Sequence, residues 1–397
     1  MLNFHKILYG PHGQADFLSE LDISDAEQKR LAAAREQIRA HLKSSFASWQ
    51  GLVNRQHMLV AAARSSGLPD PALRPKFRMQ GSRSYHTLNA PAWHPPQQID
   101  YDDGMYLPVS FLSNTGSPII ASEAYFSLVE RALVPLCQAN GWKIEQKPTC
   151  VRVKLDDKAH IDLPLYAIPD EEFEELVEKA YAMDSAARTM SANAVDLAEL
   201  LYQRLPTDEI RLAHREDGWI KSDPRLIEDW FHAAIETHGQ QLRRVCRYLK
   251  AWRDHQWPKS ALTSITLMKC VIDAFDNLNG SIDDKRDDQA LFEVTRQLDG
   301  FFAGDIENPV IDGVLNDKWN DDDRTKFRQA ARDFHRRVAN ALSGTDDRKV
   351  ALAELTKAFG ERIPQNIDLI VATAAATVKS FELTKMPAPH VVPHTSG

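Results

Sequence analysis

Leu31, Ile38, Leu42, Phe46, Trp49 and Val53 recur at helical spacing and predict one long helix over residues 24–64, with a single apolar stripe. Its start is marked by Ser24-Asp25-Ala26-Glu27, where a hydroxyl can accept from an orphan amide and a carboxylate can reach back. Gly67-Leu68-Pro69-Asp70-Pro71 ends it. Residues 1–22 read as a mostly extended lead-in. Beyond the helix the period changes. Arg74, Lys76 and Arg78 alternate, so an extended segment places them on one face. Residues 98–111 read as a strand with a turn at Asp103-Gly104, and residues 122–137 return to a helical pattern. Alternation is then strong from Trp142 to Ile168. Val151, Val153 and Leu155 point one way, Ile161, Leu163 and Leu165 do so on the return, and Asp156-Asp157-Lys158-Ala159 connects them as a hairpin.

After residue 170 the pattern is largely helical. Asp170 to Glu175 is an acidic helix start. Residues 184–222 read as short helix and loop. Ser222-Asp223-Pro224 is a helix start with a capping side chain and a first-turn proline. That helix runs through Trp230, Ile235, Leu242, Val245, Leu249 and Trp252, and Pro258 ends it. Ser264 to Phe275 is a further helix, Asn277 to Asp287 a polar loop, and two or three helices follow between 288 and 380. Residues 386–397 carry three prolines and no periodicity, the pattern of a flexible tail.

A chain of 397 residues with 43% hydrophobic and 26% charged residues has ample material for a core, in two or three units or one bilobed body. No apolar run approaches 18 residues, so no transmembrane span is expected. The N-terminus lacks the apolar stretch of a signal peptide. Cys137, Cys150, Cys246 and Cys270 are far apart and form no zinc pattern, which points to reduced cytosolic thiols. The net charge of -8 argues against a protein that coats nucleic acid, but leaves room for a local basic cleft.

Three short stretches carry chemistry. Asp100 and Asp102 lie two apart on a strand, so both carboxylates leave one face, with Cα atoms roughly 7 Å apart. Such a pair suits Mg²⁺, which prefers hard oxygen ligands. An isolated Asp-x-Asp is common, and Asp321/Asp323 is a second instance here. Asp162 adds weight, because a carboxylate between Ile161 and Leu163 needs a partner if buried. Three carboxylates on adjacent strands can form a two-metal clamp. Gly81-Ser82 precedes the pair, and glycine backbone with a serine hydroxyl can approach phosphate closely, with Gln80 and Tyr85 as neighbours of triphosphate or base. Arg152 and Lys154 share a strand face opposite Asp162. Arg243, Arg244, Arg247, Lys250 and Arg253 form a basic helix run, either a solvated face or a phosphate grip through Lys250 and Ser264.

Taken in order, Gln80-Gly-Ser-Arg-Ser-Tyr85, Gln98-Ile-Asp-Tyr-Asp-Asp-Gly-Met-Tyr-Leu-Pro108 and His160-Ile-Asp-Leu-Pro-Leu-Tyr-Ala-Ile-Pro169 resemble the bacterial cGAS/DncV-like nucleotidyltransferases. Trp219 to Pro224, Glu228 to Phe231 and Val245 to Trp257 are similar to the DncV branch, the 3′,3′-cyclic GMP-AMP synthases of anti-phage signalling. The resemblance is strongest over 78–270 and weakest over 276–345. It implies an α+β fold: a Pol-β-like core with a mixed sheet and long spine helix over 1–215, a helical lobe over 216–385 closing the cleft, and the tail at 386–397. It implies Asp100, Asp102 and Asp162 as catalytic and metal-binding, with two Mg²⁺ ions or alternatively Mn²⁺. Nucleotide contacts fall on Gln80, Gly81, Ser82, Tyr85, Arg152, Ser222, Lys250 and Ser264, and a guanine-reading aspartate on Asp312. The implied reaction joins ATP and GTP and closes the ring, with a different cyclic product or an RNA or small-molecule acceptor as the alternative. The zinc-bearing insertion of the animal DNA sensor is absent, so activation by duplex DNA is not expected. The protein is expected in the cytoplasm. Relatives work with ubiquitin-transfer-like enzymes that conjugate a C-terminal glycine, here Gly397.

Overall fold

The structure is a computed structural model and describes residues 1–11, 13–47, 75–108, 118–168, 210–278 and 282–372. In chain order, β1 (Leu2–Asn3), α1 (His5–Leu8) and α2 (Phe17–Glu20) precede the spine helix α3 (Asp25–Ala47). Next come β2 (Lys76–Gln80), the single turn α4 (Gly81–Ser84), β3 (Ile99–Pro108) and α5 (Pro118–Asn140). Then follow β4 (Lys143–Gln146), β5 (Cys150–Lys154), β6 (Ala159–Ile168), β7 (Arg211–His214) and β8 (Gly218–Lys221). Among the described residues, six α-helices build the second lobe: α6 (Pro224–His238), α7 (Gln240–Gln256), α8 (Ser264–Asp276), α9 (Asp287–Ala303), α10 (Asp321–Ala339) and α11 (Arg348–Phe359). A further strand, β9 (Val371–Ala372), pairs with β1.

The sheet runs β2-β3-β6-β5-β4, with β7 and β8 added beside β6. β3 and β6 are parallel, and their other neighbours are antiparallel. The alternation seen in the sequence sets the faces. Tyr101, Met105 and Leu107 of β3, Ile161, Leu163 and Leu165 of β6, and Val151 and Val153 of β5 bury against α3 and α5. Leu31, Ile38, Leu42 and Phe46 of α3 meet them as the predicted stripe. Asp100, Asp102, His160 and Asp162, at the alternate positions, therefore face away from that core. The α+β reading and the helical second lobe hold.

Local readings change in four places. β3 continues through Asp103-Gly104 instead of turning, because both residues pair with β2, at Met79 and Arg78. Residues 211–221 form an antiparallel hairpin, not helix and loop. The helix expected from Asp223 to Pro258 is broken at Gly239, whose φ of +81° favours glycine and which separates α6 from α7. Residues 1–22 contain two short helices, and Leu2, Phe4, Ile7, Leu8, Phe17 and Leu21 pack into the helical lobe's core, although they begin the segment expected to form the catalytic unit. The second half of the expected 24–64 helix, Arg74, the acidic start at 170 and the tail lie outside the described residues.

One polar group interrupts the core face of the sheet. Asp103 is fully buried, and Arg39 of α3 grips both its carboxylate oxygens, one through Nε at 2.6 Å. Burial pushes the Asp103 carboxyl up, and Arg39 opposes it. The pair ties the spine helix to the strand that carries the site. Removing one member of a buried pair strands the other. Arg39→Ala is expected to destabilise folding by about 3 kcal/mol in urea unfolding; a loss under about 1 kcal/mol contradicts this role.

Candidate active site

The parallel β3–β6 pairing aligns Asp100 with His160 and Asp102 with Asp162, a two-by-two block of polar side chains on the face opposite the core. Across β6 on the other side, β5 sets Arg152 against Asp162. The guanidinium and carboxylate form a bidentate pair, both contacts 2.7 Å. His160 Nε2 lies 2.9 Å from Asp100 Oδ1 and 3.9 Å from Asp162 Oδ1. His160 did not stand out in the sequence as a site residue; only the register shows that it faces Asp100.

Charge is crowded here. Burial, followed by the neighbouring Asp100 and Asp162, pushes the Asp102 carboxyl well above its usual range. Burial also works against ionisation of Asp100, but His160, Arg152 and Lys250 outweigh it and hold that carboxyl low. The donor set suits a divalent cation on two grounds. Three carboxylates converge with one neighbouring imidazole, and ligand atoms of Asp100, His160 and Asp162 all lie within 4.8 Å of one another. Moreover, Asp100 Oδ1 and His160 Nε2, 2.9 Å apart, are buried and make no hydrogen bond to any third group.

Gly81 has φ +65° and sits against the carboxylate of Asp102, so a Cβ there would collide with it. The sequence singled out this glycine for phosphate, and its tight fit to a metal-type carboxylate places the α4 turn at the same spot. Ser82 and Tyr85 line the same cleft, of about 470 Å³, with Asp100, Asp102, Thr87, Lys250 and Ser264. Ile227, Ile265 and Met268 of the helical lobe supply apolar wall. Lys250 is buried and donates to the Thr87 carbonyl at 2.6 Å. Arg253 donates to Ser264 Oγ at 3.0 Å and holds that hydroxyl at the cleft wall. Gln98 and Asn89 also line the cleft, but their amides are committed: Asn89 exchanges bonds with Arg247, and Gln98 joins Asp156 to His160.

Other sequence-predicted contacts lie elsewhere. Gln80 is buried between tyrosines, donating to Tyr106 Oη at 2.8 Å and accepting from Tyr166 Oη at 3.2 Å. Gly104 leaves the room that its amide occupies. Gln80 thus braces the sheet beneath the cleft and does not line it. Arg152 reaches the site only through Asp162. Ser222 is half-buried, just before the Asp223 cap of α6, and Asp312 is on an exposed loop; neither lines the cleft. The basic run on α7 is not a solvated face. Arg244 pairs with Asp287 and Asp284, and Arg247 with Asn89 and Asp22.

A family model for the nucleotidyltransferase domain of DncV-like cyclic GMP-AMP synthase matches residues 75–166, and one for the cyclic GMP-AMP synthase C-terminal domain matches residues 239–373. A cyclic GMP-AMP synthase from Escherichia coli is 30% identical, over 93% of this chain and 93% of its own. The cyclic GMP-AMP synthase of Vibrio cholerae serotype O1 is 28% identical over 99% of this chain and 98% of its own. The crystal structure of Vibrio cholerae DncV cyclic AMP-GMP synthase with the linear intermediate 5′ pppA(3′,5′)pG superposes with a TM-score of 0.75 at 29% identity, covering 94% of this chain and 99% of that one. This chain belongs to the DncV-like cyclic GMP-AMP synthase family of nucleotidyltransferases.

Lys250 offers a test of the cleft's electrostatics. Burial, then the charge of Arg253, pushes its ammonium from 10.5 down to about 8. Between these values the unfolded chain holds the proton and the folded chain does not, so this residue makes stability rise with pH across that window. Urea unfolding of the wild type and Lys250→Met near pH 7.5 and pH 10 should show the wild type gaining relative to the variant. A pH-independent difference contradicts the depressed lysine.

Proposed function

We propose that the chain makes 3′,3′-cyclic GMP-AMP from ATP and GTP, in two nucleotidyl transfers that each release pyrophosphate. The observation that carries this reading is the juxtaposition of Asp100, Asp102 and Asp162 with a cleft reached by Lys250 and Ser264 from the helical lobe. Family membership, and the linear pppApG held by the Vibrio cholerae enzyme, support the choice of product.

Asp100, Asp102 and Asp162 would hold two divalent ions, Mg²⁺ or alternatively Mn²⁺. Bound there, such ions supply a more acidic 3′-hydroxyl and neutralise the leaving pyrophosphate. The chain's own part is positioning and charge. Ser82 and the Gly81–Ser84 turn receive phosphate oxygens beside the carboxylates, with the missing Gly81 side chain permitting that approach. Lys250 keeps two N–H groups beyond its bond to Thr87, and Ser264 keeps its hydroxyl proton, for the triphosphate. Arg152 holds the Asp162 carboxylate in place. Ile227, Ile265 and Met268 offer apolar surface against which a base can pack. The two-step chemistry needs the intermediate to be turned around in one site, and an open cleft between lobes allows this.

No helix among the described residues is long and apolar enough to cross a membrane. We place the enzyme in the cytoplasm, acting in anti-phage signalling and without activation by duplex DNA. Its C-terminal Gly397 is the proposed target of a ubiquitin-transfer-like enzyme.

Purified protein incubated with Mg²⁺ and all four nucleoside triphosphates should yield a product that co-elutes with 3′,3′-cyclic GMP-AMP and matches its mass. Asp100→Ala and Asp102→Ala should each lower the rate by about 10³-fold or more, while thermal unfolding stays cooperative. A trinucleotide, a pyrimidine-containing ring or dependence on an added acceptor would overturn the product. Full activity in the double aspartate variant would overturn the ion site.

A further inference from the structure

We propose that Arg253 is a positioning residue for triphosphate binding: oriented by Asp254, its guanidinium donates to the Ser264 hydroxyl oxygen and so leaves that hydroxyl's proton to be given to a phosphate in the cleft. The inference rests on the reading that this cleft holds nucleoside triphosphates.

The direction of each hydrogen bond follows from the donors. A guanidinium has N–H groups and no acceptor. Nε and Nη2 of Arg253 donate to Asp254 Oδ1 at 2.8 and 2.6 Å. Nη1 donates to the Leu262 carbonyl at 3.2 Å and to Ser264 Oγ at 3.0 Å. Ser264 Oγ therefore accepts in that bond, and its own proton goes elsewhere. A serine near a helix start readily bonds back to its own chain. Among the described residues Ser264 Oγ donates no such bond, and Ser264 lines the cleft. Accepting from a cation also polarises the O–H group and strengthens its own donation.

The surroundings hold this arrangement in place. The Arg253 and Asp254 side chains are only 15% and 16% exposed. Two bonds to one carboxylate oxygen fix the plane of the guanidinium. Arg253 itself lines the cleft, so without the Asp254 countercharge a triphosphate would draw it off Ser264. On the other side, Thr263 Oγ1 accepts from the Thr266 amide at 3.2 Å and caps α8, which sets the backbone of Ser264. The end of α7 that carries the pair is fastened to the core lobe. Gln97 Nε2 donates to the carbonyls of Asp254 and Trp257 at 2.8 and 3.0 Å, and Gln97 Oε1 accepts from the Ala92 and Trp93 amides. The segment that leads into Asp100 thus also anchors the residues that aim the Ser264 proton.

Isothermal titration of the full chain with Mg²⁺ and non-hydrolysable ATP and GTP analogues tests this in a double-variant cycle. Arg253→Met and Ser264→Ala should each weaken binding about 10-fold. Added to Ser264→Ala, Arg253→Met should change affinity by less than about 2-fold, because its target is already gone. Arg253→Lys keeps a donor cation and should recover part of the affinity, and it carries the cycle if Arg253→Met does not fold. Losses that multiply to about 100-fold in the double variant would overturn the proposal, since Arg253 would then act on the triphosphate or the fold directly. Full affinity in Ser264→Ala would overturn it as well. A wild type that binds neither analogue would instead overturn the triphosphate reading beneath it.

Discussion

The parallel pairing of β3 with β6 is the constraint on which the site depends. Side chains on a strand alternate with period two, so a slip of one residue would move every ligand of one strand to the core face. In the observed register, Asp100 meets His160 and Asp102 meets Asp162. The same register buries Tyr101, Met105, Ile161, Leu163 and Leu165 together on the other face. Hydrophobic burial thus fixes the geometry of a charged site that would not assemble by itself, since three carboxylates repel. Arg152 on Asp162 supplies positive charge beside them, and Lys250 adds to it at Asp100.

The helical lobe is held to this sheet by polar contacts along residues 85–98. Asn89 exchanges two hydrogen bonds with Arg247, and Gln97 donates to the carbonyls of Asp254 and Trp257. Arg362 donates to the carbonyls of Ala90 and Ala251. Arg78 of β2 pairs with Glu228 of α6 at 2.8 Å. Tyr85 packs against Phe231 from the same side. The segment between the phosphate-type turn and Asp100 therefore also joins the lobes, so lobe position and site geometry are physically linked. The buried arginines of α7 belong to this framework and not to a nucleic-acid surface.

Much of this was legible because periodicity reports burial. The α3 stripe, the β5–β6 hairpin and the Asp223-Pro224 helix start all lie where their patterns place them. Asp100 and Asp102 were visible by their two-residue spacing, and Asp162 as a charge between apolar neighbours. His160 was not, because a histidine between apolar residues has many uses, and its meaning comes from the strand beside it. Gln80 and Gly104 illustrate the converse. Both sit in motifs that resemble nucleotide contacts, yet one braces two tyrosines and the other makes room for it. Asp103-Gly104 looks like a turn in isolation, but pairing with β2 keeps it extended. Gly239 is a poor helix former inside a helical pattern, and its positive φ breaks that pattern into two helices.

The central claim is that strand register, set by the core, builds a two-ion nucleotidyl-transfer site from Asp100, Asp102 and Asp162. Anomalous diffraction from crystals grown with Mn²⁺ and non-hydrolysable ATP and GTP analogues tests it most directly. Two anomalous peaks shared by these three carboxylates, with a triphosphate running toward Lys250, are the predicted result. Peaks elsewhere, or triphosphates bound away from the β3–β6 face, would contradict the account.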